Sequence, residues 1–407
     1  MRESIPPSPP IRRASLYVHI PFCASLCDYC DFFSVAQSDA DEMDAFVGAA
    51  LDDVEDQLSL FEVDDVPSVY VGGGTPSALG AARVERLLFG LADSLARLRG
   101  KPAEFTVEAN PESASARFLQ ACIASGANRI SLGAQTFCEE SRRQIGRAGS
   151  SAQVARGLEL AARHFPGAFS ADLIAGLPFQ TASVLEKDIA RLLEFQPAHV
   201  SLYSLTLEPE TVLGKCALSE GIAALSLPSA DEADDLWLAG RDILEQAGFA
   251  QYEVSNFALP GKTCTHNIRY WRMENWLGAG PSASGTIIRA GAPCSGQRFT
   301  YPSDLAGYLA TPRPRINFAR REELRAADLM QESLLMGFRY IGGPNTRVFK
   351  ARFGREIADC IPGAIARWRE KGFFADEPAV SLAPSKAGLL FVNSFLRDAF
   401  SEMGSGD

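Results

Sequence analysis

Three cysteines, Cys23, Cys27 and Cys30, are crowded into the string CASLCDYC. Thiolates select zinc or iron–sulfur clusters. Either group is ordinarily closed by four ligands, yet the chain continues with Asp31, Phe32 and Phe33 and offers no second cysteine pair. A three-thiolate site leaves one coordination position open, as catalytic metal sites do. Other polar residues recur downstream. The tract GGGTP at 72–76 can bring exposed backbone close to a ligand; Glu108 ends one apolar run, Gln135 lies just past the next, and Asp172 precedes the GLP turn at 176–178. Singly, each reads as a tight turn or a solvated capping group. At successive strand ends they form a polar ring around the thiolates.

The elements that must place them are readable from periodicity. Short β-branched or apolar runs at 16–20, 69–71, 105–107, 130–132, 171–174 and 200–203 predict six strands. Between the first two, Met43, Phe46, Val47, Ala50, Leu51, Val54 and Leu58 recur with helical spacing, as do Val84, Leu87, Leu88, Leu91 and Leu95 before the third. Helices also fit around 113–125, 150–163 and 183–195. Repeated right-handed crossovers predict an α/β chain, a partial (β/α)6 barrel over 15–215 with function at the C-terminal strand ends. A doubly wound open sheet has the same periodicity. A helix at 233–244 and a Gly- and Pro-rich, loop-dominated connecting region follow within 216–315. A smaller C-terminal α+β unit, 316–407, has helices near 324–335 and 365–368, strands near Phe373 and Val380, and a last helix from about Lys386, a winged-helix-like pattern.

Composition narrows the partners. Apolar residues are 46% of the chain and charged residues 22%, which excludes a wholly disordered chain. The net charge of −11 is poor footing for nucleic-acid binding, so the C-terminal unit is expected to meet protein and not DNA. No run reaches the roughly 18 apolar residues of a membrane span, leaving at most peripheral membrane contact. Residues 1–14 read as a flexible, Pro-stiffened arm without the apolar core of a secretory signal. A cytoplasmic protein with reduced or metal-bound thiols is expected from nine cysteines, an odd count.

The cysteine spacing resembles that of radical S-adenosylmethionine proteins. The resemblance implies a 4Fe-4S cluster on Cys23, Cys27 and Cys30, whose open iron chelates S-adenosylmethionine and can release a 5′-deoxyadenosyl radical. Gly73, Gly74 and Thr75 match the family's methionine-amino motif. Glu108, Gln135, Arg147 and Asp172 fall on its adenosyl- and carboxylate-binding positions, and Tyr17 and Tyr29 on contacts beside the cluster.

YVHIPFC at 17–23 and the glycine tract resemble the branch containing oxygen-independent coproporphyrinogen III oxidase, over nearly the whole chain. Oxidase-type sequences carry a further cysteine where Phe32 stands and a longer N-terminal extension. CDF at 30–32 is instead similar to the HemW-type heme chaperones, as are YEVSNFA at 252–258 and HNIRYW at 266–271, the subgroup's proposed heme-binding motif. That resemblance implies a protein that binds heme and passes it to apo-hemoproteins such as respiratory-chain components, with a homodimer as a further partner state. His266, one of four histidines, is the implied axial ligand. Cys264 is a second candidate, and Tyr270, Trp271 and Trp276 would cover the macrocycle. Two positions depart from the pattern: Gly149 and Ser284 stand where relatives commonly have histidine. The opposite axial ligand is then Cys264, a second subunit or no protein group. The alternative implied by the branch is radical oxidative decarboxylation of coproporphyrinogen III to protoporphyrinogen IX. Another radical reaction on an unknown substrate is a third.

Overall fold

The computed structural model describes residues 11–36, 39–289, 291, 294–375 and 382–404. Six strands, β1 (Ser15–Ile20), β2 (Ser68–Gly73), β3 (Glu104–Ala109), β4 (Arg129–Gln135), β5 (Phe169–Ala175) and β6 (His199–Ser204), pair side by side in chain order, all parallel. Their inner residues are fully buried, Leu16, Val18, Ile20, Val69, Val71 and Val107 among them, because both faces of a parallel sheet are covered.

The crossovers are α1 (Ala40–Leu60), α2 (Ala81–Ala96), α3 (Ala116–Ala124), the short α4 (Glu139–Gln144) with α5 (Ser151–His164), and α6 (Ala182–Leu193). Their starts carry the expected signals. Asp39 accepts the Glu42 N–H at 2.7 Å at the head of α1, and Ser150 with Gln153 forms a reciprocal capping box on α5. Every expected strand and helix of this half is present.

After β6 come α7 (Val212–Glu220) and α8 (Ala230–Gln246), then β7 (Ala250–Gln251) and β8 (Asn256–Ala258), the latter antiparallel to β6. Helix α9 (Thr265–Trp271) returns the chain to the opposite edge. There β9 (Trp276–Ala279) lies parallel to β1, and β10 (Ser284–Arg289), β11 (Ser295–Thr300) and β12 (Arg320–Leu324) continue antiparallel. The sheet has twelve strands in the order β7-β8-β6-β5-β4-β3-β2-β1-β9-β10-β11-β12. It is a partial (β/α)6 barrel extended at both ends. This corrects the loop-dominated reading of the stretch before 315: its strands are sheet members, too short or too Gly- and Ser-rich to show alternation.

Helix α10 (Leu305–Ala310) docks on α1, where Tyr301 and Tyr308 both donate to the buried Asp53 carboxylate, at 2.7 and 2.8 Å. The remaining helices, α11 (Ala326–Gly337), α12 (Thr346–Phe353), α13 (Ile357–Cys360), α14 (Pro362–Glu370), α15 (Lys386–Leu390) and α16 (Val392–Gly404), close over a separate apolar core that includes Phe338, Phe349, Trp368, Phe373 and Phe395. A single antiparallel bridge, Phe374 to Pro384, stands where a hairpin was expected; the strand near Val380 and residues 1–10 of the arm lie outside the described residues. Residues 11–14 are built into the fold. Arg12–Arg13 pairs with Val63–Asp65, and Ala14 is fully buried. No helix among the described residues is long and apolar enough to cross a membrane.

Candidate functional site

The cysteine loop follows β1 and is pinned from three sides. Cys30 N–H donates to Cys27 O at 3.1 Å, Asp28 N–H to Ile145 O at 3.0 Å, and Leu213 N–H at the start of α7 to Asp28 O at 2.8 Å. The glycine turn after β2 runs hard against it, with Gly74 N–H on Ile20 O and Thr75 N–H on Phe22 O, each at 2.7 Å. A Cβ on Gly74 would come within 2.7 Å of both those carbonyl oxygens, so no larger residue fits.

Cys23, Cys27 and Cys30 line one cavity of about 600 Å³ together with Tyr29, Gly73, Gly74, Thr75, Glu108, Gln135, Arg147 and Asp172. The strand-end ring read from the sequence thus meets at a single place. Tyr17 does not line it; it faces the neighbouring cavity described below. Asn110, two residues past Glu108, was missed. Its amide donates to Thr75 Oγ1 at 3.2 Å and its carbonyl accepts from Arg147 Nη2 at 2.7 Å, a role no spacing rule signals. Arg142, also missed, is 1% exposed and donates to the carbonyls of Ala134, Thr136, Ala148 and Gly149. It ties the end of β4 to the loop that carries Arg147.

The charges are arranged around the thiols. Arg147 reaches Gly133 O at 2.6 Å and Cys27 Sγ at 3.5 Å. Burial pushes the Cys30 thiol up, and the neighbouring Cys27 and Cys23 add to it. Glu108 accepts from Tyr70 Oη at 2.5 Å and Gly73 N–H at 3.1 Å. Burial nevertheless lifts its carboxyl to about 7, and that of Asp172 to about 6. Gln135 Oε1, Arg147 Nε and Glu112 Oε2 are buried without hydrogen-bond partners. Buried polar atoms ordinarily find partners; of these three residues Gln135 and Arg147 line the cavity, while Glu112 stands 4.0 Å from Arg147 Nε outside its lining.

Among the described residues, no three His, Cys, Asp or Glu side chains are gathered closely enough to hold a single metal ion. Three thiols lining one cavity are a donor set that fits a multi-iron cluster with an open position. Such a cluster with S-adenosylmethionine supplies one-electron chemistry at the sulfonium. All nine cysteines are free.

A second cavity, about 420 Å³, adjoins the first and shares Phe32, Gly73 and Glu108 with it. Tyr17, Tyr70, Tyr270 and Trp276 line it together with His266. The His266 ring meets Tyr270 edge-on at 4.9 Å and Tyr70 at 5.2 Å between centroids. Its Nδ1 lies 3.0 Å from Ser68 Oγ, while Nε2 is buried with no partner. Burial, reinforced by Arg269 and Arg129, holds the imidazole down at about 3, so it is neutral. His19 and His199 use both ring nitrogens on protein groups.

Two of the sequence candidates do not line this cavity. Cys264 is fully buried at the head of α9 and donates to Glu104 Oε1 at 3.3 Å. Burial pushes its thiol up to about 12, which keeps it protonated. Trp271, one residue beyond Tyr270, lines a different, small cavity together with Gly337, Pro344 and Phe349 of the C-terminal unit.

The Radical SAM superfamily profile matches residues 17–192. The heme chaperone HemW of Lactococcus lactis is 36% identical over 341 residues, covering 83% of this chain and 85% of that protein. The mitochondrial radical S-adenosyl methionine domain-containing protein 1 of Bos taurus is 40% identical over 288 residues, 70% of this chain and 63% of its own length. Among solved structures, coproporphyrinogen III oxidase (HemN) from Escherichia coli superposes with a TM-score of 0.79 at 22% identity, over 95% of this chain and 90% of that one. The fold is that of a radical S-adenosylmethionine protein. The chain belongs to the HemW family within that superfamily.

Proposed function

We propose that this protein is a cytoplasmic heme chaperone: it takes heme into the second cavity and passes it to apo-hemoproteins. Cys23, Cys27 and Cys30 hold a 4Fe-4S cluster beside it. Tyr29, Gly73, Gly74, Thr75, Glu108, Gln135, Arg147 and Asp172 seat S-adenosylmethionine. The observation that carries the reading is the unpartnered Nε2 of a neutral, buried His266 in an aromatic-lined cavity. A neutral imidazole needs no deprotonation before it ligates iron. Tyr17, Tyr70, Tyr270 and Trp276 supply apolar faces for a macrocycle and exclude water from the bond.

The test is an anaerobic hemin titration of the cluster-reconstituted protein, following the heme absorption band. Saturable binding near one heme per chain, lost in His266→Ala, is expected; weak, unsaturable binding would reject the reading. The second reading is radical decarboxylation of coproporphyrinogen III. It is favoured by the wall that the two cavities share, which places a porphyrinogen next to the S-adenosylmethionine cradle. Accumulation of protoporphyrinogen IX in an anaerobic assay with the reduced, reconstituted protein is its distinguishing outcome.

A further inference from the structure

His266 is held from two directions. From the backbone side, the Glu104 carboxylate accepts the N–H groups of Thr265 and His266 at 2.8 Å each, fixing the start of α9. From the ring side, Ser68, the first residue of β2, lies 3.0 Å from Nδ1. Ser68 is fully buried, so its hydrogen bonds can be counted. A serine hydroxyl carries one proton. Here that proton is directed to Ser15 Oγ at 2.9 Å. The same Ser15 oxygen accepts Arg269 Nε–H at 2.7 Å. With its proton committed to Ser15, Ser68 can only accept from His266, which places the imidazole proton on Nδ1.

The burial of Nε2 leads to the same assignment. That atom has no hydrogen-bond partner. Buried N–H donors left unpaired are rarer than unpaired lone pairs, so the bare nitrogen is the cheaper arrangement.

We propose that Ser68, steadied by Ser15 and Arg269, is a positioning residue that sets the tautomer of His266 and thereby makes Nε2 the iron-ligating atom. This rests on the heme reading of the second cavity. Partners of this kind on the far nitrogen of a ligating histidine orient the ring and raise its basicity.

The tautomer is read without heme. In full-length protein labelled with 15N-histidine, only four ring systems contribute to the long-range proton–nitrogen spectrum, and His266→Gln identifies the one that matters. The expected pattern is a protonated Nδ1 and a bare Nε2; a protonated Nε2 overturns the proposal. In Ser68→Ala the preference for Nδ1–H is lost and hemin affinity falls about 10-fold, with recovery in Ser68→Thr, which restores the acceptor. Unchanged tautomer and unchanged affinity in Ser68→Ala also overturn it. If Ser68→Ala does not fold, the wild-type spectrum decides alone. Failure of the heme reading itself has a different signature: His266→Gln then binds hemin with an unaltered band, whatever the tautomer.

Discussion

The Cys27 sulfur sits 3.5 Å from the Arg147 guanidinium, which also bonds Asn110 and Gly133. Cys27 lines the cavity with the other two thiols of the loop. Cys27→Ala is expected to abolish cluster assembly while leaving the fold intact, since the side chain is only partly buried. Full iron and sulfide content after anaerobic reconstitution of the variant would contradict it. The ring of polar residues around this sulfur was readable from the chain because each member ends or follows an apolar run, and parallel strand ends converge in space. Side-chain direction was not readable. Tyr17 has the right strand but opens on the second cavity. Cys264 turns toward Glu104, and Ser68 and Asn110 are isolated polar residues that no spacing singles out.

At the scale of elements, α5 presses on the loop after β3 through a position where no side chain fits. A Cβ on Gly157 would lie 2.3 Å from Pro111 O. That loop carries Asn110 and Glu112, the neighbours of Arg147. Gly157→Ala should therefore cost about 1–3 kcal/mol by overpacking, read by denaturant unfolding, and should weaken S-adenosylmethionine binding by calorimetry. Stability equal to wild type would mean that the loop can retreat. The strongly periodic helices and the six parallel strands were legible because burial on one or both faces imprints a repeat on the sequence. The strands beyond β6 were not: β7 and β8 are only two and three residues long, too short to repeat anything. The seven-residue α9 hides its division of labour for the same reason. His266 and Tyr270, four residues apart, share the cavity, whereas Trp271 lines the small one it shares with the C-terminal unit.

At the scale of the whole molecule, the sheet closes the distance between segments remote in sequence. Parallel pairing of β9 with β1 brings Trp276 and its neighbours beside the strand that leads into the cysteine loop. Trp271 and Arg272 carry α9 onto the C-terminal unit, with Arg272 over the Tyr340 ring at 5.5 Å. The helix that bears His266 therefore belongs to two bodies at once.

The wall between the cavities has its own consequence. Phe32, Gly73 and Glu108 belong to both, and Glu108 is joined through Tyr70 to the face of His266. Occupants of the two spaces are then two legs of one thermodynamic cycle. Whatever factor S-adenosylmethionine imposes on hemin affinity, hemin must impose on S-adenosylmethionine. Calorimetric titrations of each ligand with and without the other should return one common factor, about 5-fold or more, reduced toward unity in Glu108→Gln. A factor of one in the wild-type protein would mean that the wall is only a partition. Any other value makes the load state of one compartment a quantity that can be measured from the next.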